Sequence, residues 1–347
     1  MSKKLDFMWV IQLPIITILV LIISIMFFGR YSDFASIINL QIMIRHNAFL
    51  ILIVAGQALV MLSGNFDLSS GAIISASVTI FAYLLNRGIS PWLALIIALL
   101  ICVLVGVVNG VLITVCKRKL PSVKSKLILL TIQRLPSIII TLLIAFFVRR
   151  ILLLTCDGSF IDIGRMGIQT FQSFFGGVEL FGISVIFWMP YLLFLLLCIF
   201  LTISKTGKKI YMLGESKWEE EVSKKNELIT MVKVYGISTF LSGMAGIIIL
   251  FRMGGVVHPM VLRPHEWITI AISIVSGICI LGGRGKLIGV FFGVALWAVL
   301  YYGLIVLNVH GDLQYLVIRV IMFVLIVLYV LLSLLTMYKK KRRNEKL

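Results

Sequence analysis

Apolar residues run along this chain in long unbroken stretches separated by short polar breaks, and Ile15 to Phe28 and Leu93 to Cys116 are two such runs. Polar and apolar positions do not alternate within them, as a transmembrane β-barrel would require over segments of about ten residues. A bilayer core about 30 Å thick takes about 20 helical residues to cross, so each run predicts a spanning helix. The breaks divide the chain into ten predicted helices at 11–28, 43–62, 68–86, 91–116, 136–154, 180–203, 229–251, 266–282, 286–307 and 313–337. The expected fold class is all-α, a single polytopic transmembrane bundle over 1–347.

Charge sets the orientation. With the N-terminus in the cytoplasm, 1–10, 63–67, 117–135, 204–228, 283–285 and 338–347 lie inside, and 23 of the 32 Lys and Arg fall in or beside those segments. All 18 lysines are among them. Positive charge stays cytoplasmic during insertion, which predicts an even helix count and both termini inside. Two lysines precede the first run and no small-residue cleavage site follows it, so the first helix is expected to be retained. The composition, 61% hydrophobic and 13% charged, excludes most soluble enzymes. The net charge of +18 marks one membrane side rather than a nucleic-acid surface, because the basic loops lack interleaved aromatics. The tail Lys339 to Arg343 suits anionic lipid headgroups.

Few residues offer chemistry. The five cysteines show no metal-ligand spacing and read as small hydrophobes. The histidines His46, His258, His265 and His310 fall at predicted outer loops or helix ends, so no Ser/His pair arises, and clustered aspartates for magnesium and diphosphate are missing too. Asp67, Arg149, Arg150, Glu266 and Arg319 all lie near predicted helix ends, which weighs against an ion-coupled carrier with midplane carboxylates.

Three segments stand out. In Gly64-Asn65-Phe66-Asp67-Leu68-Ser69-Ser70-Gly71, the first two residues tolerate positive φ and Asp67 suits the positive end of the following helix. A tight helix-to-helix turn explains the run; a place in a gate or solute path is the second reading. Gly282-Gly283-Arg284-Gly285, continuing to Gly289, combines a sharp turn with close helix packing, and GxxxxGK[ST] is absent. The inner loop 204–228 contains Trp218-Glu219-Glu220-Glu221. It suits either a solvated connector or a short surface helix docked on a cytoplasmic partner.

In this order and spacing, the three segments resemble the membrane permease of ribose-type ABC importers, which serve monosaccharides and related signal sugars. The family pattern G-x-x-L-V-x-x-x-G-G-I-D-L-S-x-G stands here as Gly56-Gln57-Ala58-Leu59-Val60-Met61, then Gly64 to Gly71. Further matches are Asn109-Gly110, Pro136 to Leu142, Gly207-Lys208-Lys209-Ile210-Tyr211 with Gly214, and Gly282 to Gly285 with Gly289.

The resemblance implies a permease subunit of the bacterial inner membrane that is not itself an enzyme and carries no cofactor, ATP and magnesium being bound by a partner ATPase. It pairs with a second permease, as homo- or heterodimer, and receives sugar from an extracytoplasmic binding protein. Alternating access supplies the mechanism. The implied path or gate residues are Asn65, Asp67, Ser69, Ser70, Gly71, Asn109 and Glu266. The implied ATPase coupling loop holds Gly207, Lys208, Lys209, Tyr211, Gly214, Glu219, Glu220, Glu221 and Ser223.

Departures from the pattern are the glutamates at 219–221 in place of small residues, a longer 117–135 stretch, Asn65 and Ser276 in place of glycines, and Ile268 in place of an aspartate. They suit one member of an unlike permease pair. A branched-chain amino-acid or nucleoside importer shares the general layout, and an ion-coupled carrier is the alternative outside this class.

Overall fold

A computed structural model describes residues 13–31, 34, 36–119, 133–163, 178–215, 224–260 and 265–344. The helices are α1 (Leu13–Phe28), α2 (Ile37–Leu62), α3 (Ser70–Asn86), α4 (Pro91–Arg118), α5 (Leu135–Thr155), α6 (Met189–Ile203), α7 (Lys205–Gly214), α8 (Lys224–Arg252), α9 (His265–Val275), α10 (Gly289–Val306) and α11 (Gly311–Asn344). Four two-residue strands form two small antiparallel pairs, β1 (Ile161–Asp162) with β4 (Val256–Val257) and β2 (Glu179–Leu180) with β3 (Ile183–Ser184). Among the described residues, six helical segments are long and apolar enough to cross a membrane, the first and last being Ile37–Leu62 and Gly289–Val306. The protein is a helical membrane bundle.

The centre is α2 with α8. Every residue of α2 from Asn47 to Leu62 is buried, as expected of a helix apolar on all sides and surrounded by others. Helix α8 packs along α4, α2 and α3. A Cβ on Gly110 of α4 would stand 2.8 Å from Val232 Cα, and one on Gly106 would stand 2.6 Å from the Tyr235 carbonyl oxygen. The Gly106-x-x-x-Gly110 face therefore sets how closely α4 and α8 approach. Outward-facing Leu104, Phe146, Phe147, Leu196 and Phe323 are exposed, an arrangement suited to lipid rather than water.

Each predicted span overlaps a helix, with four corrections. The helix predicted over 266–282 ends at Val275, and the chain turns through Gly277, Gly282, Gly283 and Gly285, all at positive φ. The span predicted over 180–203 is α-helical only from Met189, because a hairpin occupies 179–184 and a single 3-10 turn follows at Val185–Phe187; Pro190 sits in the first turn of α6. The start predicted at 43 moves to Ile37, where the Ser36 hydroxyl accepts from Asn39 N–H at 3.1 Å, which places His46 inside α2 rather than at its end. Helix α11 continues through the basic cluster at 339–343.

Candidate functional site

The chain breaks between α2 and α3 at Gly64, whose φ is +79°, and then climbs into the bundle beside α5. Phe66 N–H donates to Ser137 Oγ at 3.2 Å, and Leu68 N–H to Thr141 Oγ1 at 3.0 Å. These hydroxyls satisfy amides that no helix or sheet pairs, and both donate in turn to α5 carbonyls, Arg134 and Ser137. Tyr235 on α8 donates to the Phe66 carbonyl at 2.9 Å. The break is thus sewn to α5 on one side and α8 on the other.

Asp67 is fully buried in this segment. Its Oδ1 accepts from Ser69 N–H at 2.8 Å and Ser69 Oγ at 2.6 Å, while Oδ2 accepts from Ser238 Oγ at 3.2 Å. Asn109 Nδ2 donates to Ser69 Oγ at 3.1 Å. The carboxylate lies ahead of α3, but it organises a local turn instead of capping free amides deeper in the helix. Asn65 accepts from Lys117 and donates to Ser63 O at 3.0 Å. An asparagine is accommodated where the resemblance expects glycine, because Gly64 alone takes the left-handed conformation. Ser276 is accommodated similarly, since Gly293 of α10 leaves room against its hydroxyl.

Higher in the bundle, Arg149 of α5 forms an ion pair with Glu266 of α9. Arg149 stands 12 residues beyond Ser137, or about 18 Å along the helix at 1.5 Å per residue. A Cβ on Gly71 would stand 2.8 Å from Glu266 Cδ, so the N-terminal ends of α3 and α9 meet here. The Glu266 carboxylate therefore sits in the positive field of two helix N-termini and of Arg149. Proximity to helix ends in sequence hid this depth, because α3, with 17 residues, and α9, with 11, both begin inside the bundle. Asp67 and Glu266, the two buried carboxylates among the described residues, already have partners.

Of the other predicted residues, Ser70 is buried, and its hydroxyl has no partner among the described residues, as is true of Asn109 Oδ1 and of both polar side-chain atoms of Gln57. Gly207 is buried at the corner between α6 and α7, capped by the Ser204 hydroxyl, which accepts its N–H at 2.9 Å. Lys208 is exposed, Lys209 and Tyr211 are half-buried, and burial followed by the nearby Cys198 raises the Tyr211 phenol above its ordinary range. Glu219, Glu220, Glu221 and Ser223 lie outside the described residues. Cys279 N–H donates to the Arg284 carbonyl at 2.9 Å, closing the turn that carries Gly282, Gly283 and Gly285, and Gly289 begins α10 against the Ser276 carbonyl.

Sequence reasoning left Ser137, Thr141, Arg149, Tyr235 and Ser238 out of the site. Ser137 and Thr141 stand in the Pro136 to Leu142 motif one helical turn apart, a signal for two inward hydroxyls. Tyr235 and Ser238 share a helix face with no motif around them.

The family model described as "Branched-chain amino acid transport system / permease component" matches residues 39–327. The ribose import permease protein RbsC of Bacillus subtilis is 27% identical over 88% of each chain. That of Haemophilus influenzae is 26% identical over 81% of this chain and 82% of its own. The autoinducer 2 import system permease protein LsrC of Escherichia coli is 27% identical over 80% of this chain and 75% of its own. No solved structure matches the chain.

Proposed function

Because the chain belongs to the family of permease components of branched-chain amino acid transport systems and is a multi-pass protein of the bacterial inner membrane, we propose that it is the permease subunit of an ABC importer for a monosaccharide or related sugar. It crosses the membrane ten times with both termini in the cytoplasm, as one domain. It binds no cofactor, and a cytoplasmic ATPase holds ATP and magnesium. A second permease completes the path, and an extracytoplasmic binding protein delivers the sugar. Helix α7, which lies within the predicted coupling loop 204–228, is the element that the ATPase moves.

The observation that carries this reading is the meeting of α3 and α9 at Glu266. Helices whose N-termini meet inside a bundle are a recurrent way of building a solute path. Here Glu266 already occupies Arg149 and lies against the start of α3, so the arginine at the junction is paired within the chain rather than held out as the counter-ion of a charged solute. An uncharged polyol suits such a junction, in keeping with the similarity to ribose and autoinducer 2 import permeases. With Asp67 and Glu266 both partnered, neither is a free proton or sodium carrier. Asn65, Ser69, Ser70, Gly71 and Asn109 then hold the moving break rather than select the solute.

Uptake of labelled monosaccharides into vesicles tests the function. The reading requires vanadate-sensitive uptake dependent on the separate ATPase; uptake abolished by an uncoupler while ATP is maintained would refute it.

A further inference from the structure

The two helix breaks, separated by more than 200 residues of sequence, touch the same glycine. Gly283 N–H donates to the Leu62 carbonyl at 2.8 Å, joining the α9–α10 turn to the end of α2. A Cβ on Gly214, the last residue of α7, would overlap both atoms of that hydrogen bond and would stand 2.7 Å from the Gly282 carbonyl carbon. A Cβ on Gly282 would meet Gly64 Cα at 2.5 Å and Gly214 Cα at 3.0 Å, and one on Gly64 would stand 3.4 Å from Gly214 Cα. Three backbones therefore meet here with no side chain between them. Gly64 and Gly282 also hold φ of +79°, which a side chain disfavours, whereas Gly214 is helical and glycine is required there by closeness alone.

Side chains that separate two elements can change rotamer and absorb a displacement; backbone in contact with backbone cannot. The opposite faces of α7 differ accordingly, since Lys205, Lys208 and Met212 are exposed while Gly207 and Ile210 are buried. We propose that Gly64, Gly214 and Gly282 form a backbone joint that passes any displacement of α7 directly and together into the α2–α3 break and the α9–α10 break. One break leads to Asp67 and the start of α3, and the other leads back along α9 to Glu266, so a single push reorients both helices. The joint rests on the reading of α7 as the ATPase-facing element.

The test is the number of ATP molecules hydrolysed per sugar imported, measured on the complete complex of permeases, ATPase and binding protein in proteoliposomes and normalised to assembled complex. Gly214→Ala is expected to raise that ratio about tenfold, within the range of coupling between distant sites. Gly311→Ala, with nothing within 4 Å of the added Cβ, is expected to leave it unchanged. A wild-type ratio in Gly214→Ala would overturn the joint, because a merely structural role lowers hydrolysis and import in proportion. Sugar import by the wild type without the ATPase would overturn the reading of α7 as well, and that failure appears before any variant is made.

Should Gly214→Ala not assemble, hydrogen–deuterium exchange on the wild-type complex decides. Nucleotide is expected to change exchange in 205–215, 62–69 and 277–285 together; a change in 205–215 without the other two would overturn the joint.

Discussion

Ser238 of α8 donates its hydroxyl to Oδ2 of Asp67 at 3.2 Å, across 171 residues of sequence, while Ser69 occupies Oδ1. One carboxylate thus fixes the entry to α3 against the central helix. Asp67→Ala strands the buried Ser238 hydroxyl and the Ser69 amide, each at a cost of about 1–3 kcal/mol. The expected outcome is lower membrane abundance, a reduced thermal midpoint in detergent and impaired uptake. Ser238→Ala, which removes one of the three donors, is expected to lose less of each. Wild-type stability and uptake in Asp67→Ala would remove it from the site.

The ion pair of Arg149 and Glu266 predicts strong non-additivity. Arg149 is partly exposed, so removing one member costs less than the roughly 3–5 kcal/mol of a fully buried pair. Arg149→Met and Glu266→Gln are each expected to reduce abundance sharply, and the double variant to recover much of the loss. A double-mutant cycle on thermal midpoints reads the coupling; additive losses would show that the two groups do not depend on each other.

Close approach of α4 to α8 predicts that Gly110→Ala is costly although alanine favours helices. The added Cβ would stand 2.8 and 2.9 Å from Val232 Cα and N, backbone atoms that cannot swing aside. Such overpacking costs about 1–3 kcal/mol. Denaturation of the purified protein should place Gly110→Ala well below wild type; an unchanged midpoint would mean that α4 and α8 have room to separate.

The spans were legible because lipid demands long apolar runs, and runs such as Leu93 to Cys116 are apolar almost throughout. What composition does not record is how deep a helix begins. Gly71 and Glu266 look like surface-end residues in sequence, yet the extended segment Gly64 to Ser69 and the glycine turn after Val275 shorten α3 and α9. Asp67 and Gly282 were found through their motifs. Ser238 and Tyr235 were not, because their importance arises from contacts with Asp67 and Phe66 across the bundle. Arg149 was noticed as a charge, but its partner lies 117 residues away.

On the proposed function, this chain holds no energy source and a partner ATPase works it from the cytoplasmic side. The most direct measurement is sugar accumulation by proteoliposomes made with and without the ATPase, supplied with ATP or with an imposed ion gradient. Accumulation against a gradient is expected only when both ATPase and ATP are present. Accumulation by the chain alone on an ion gradient would contradict it.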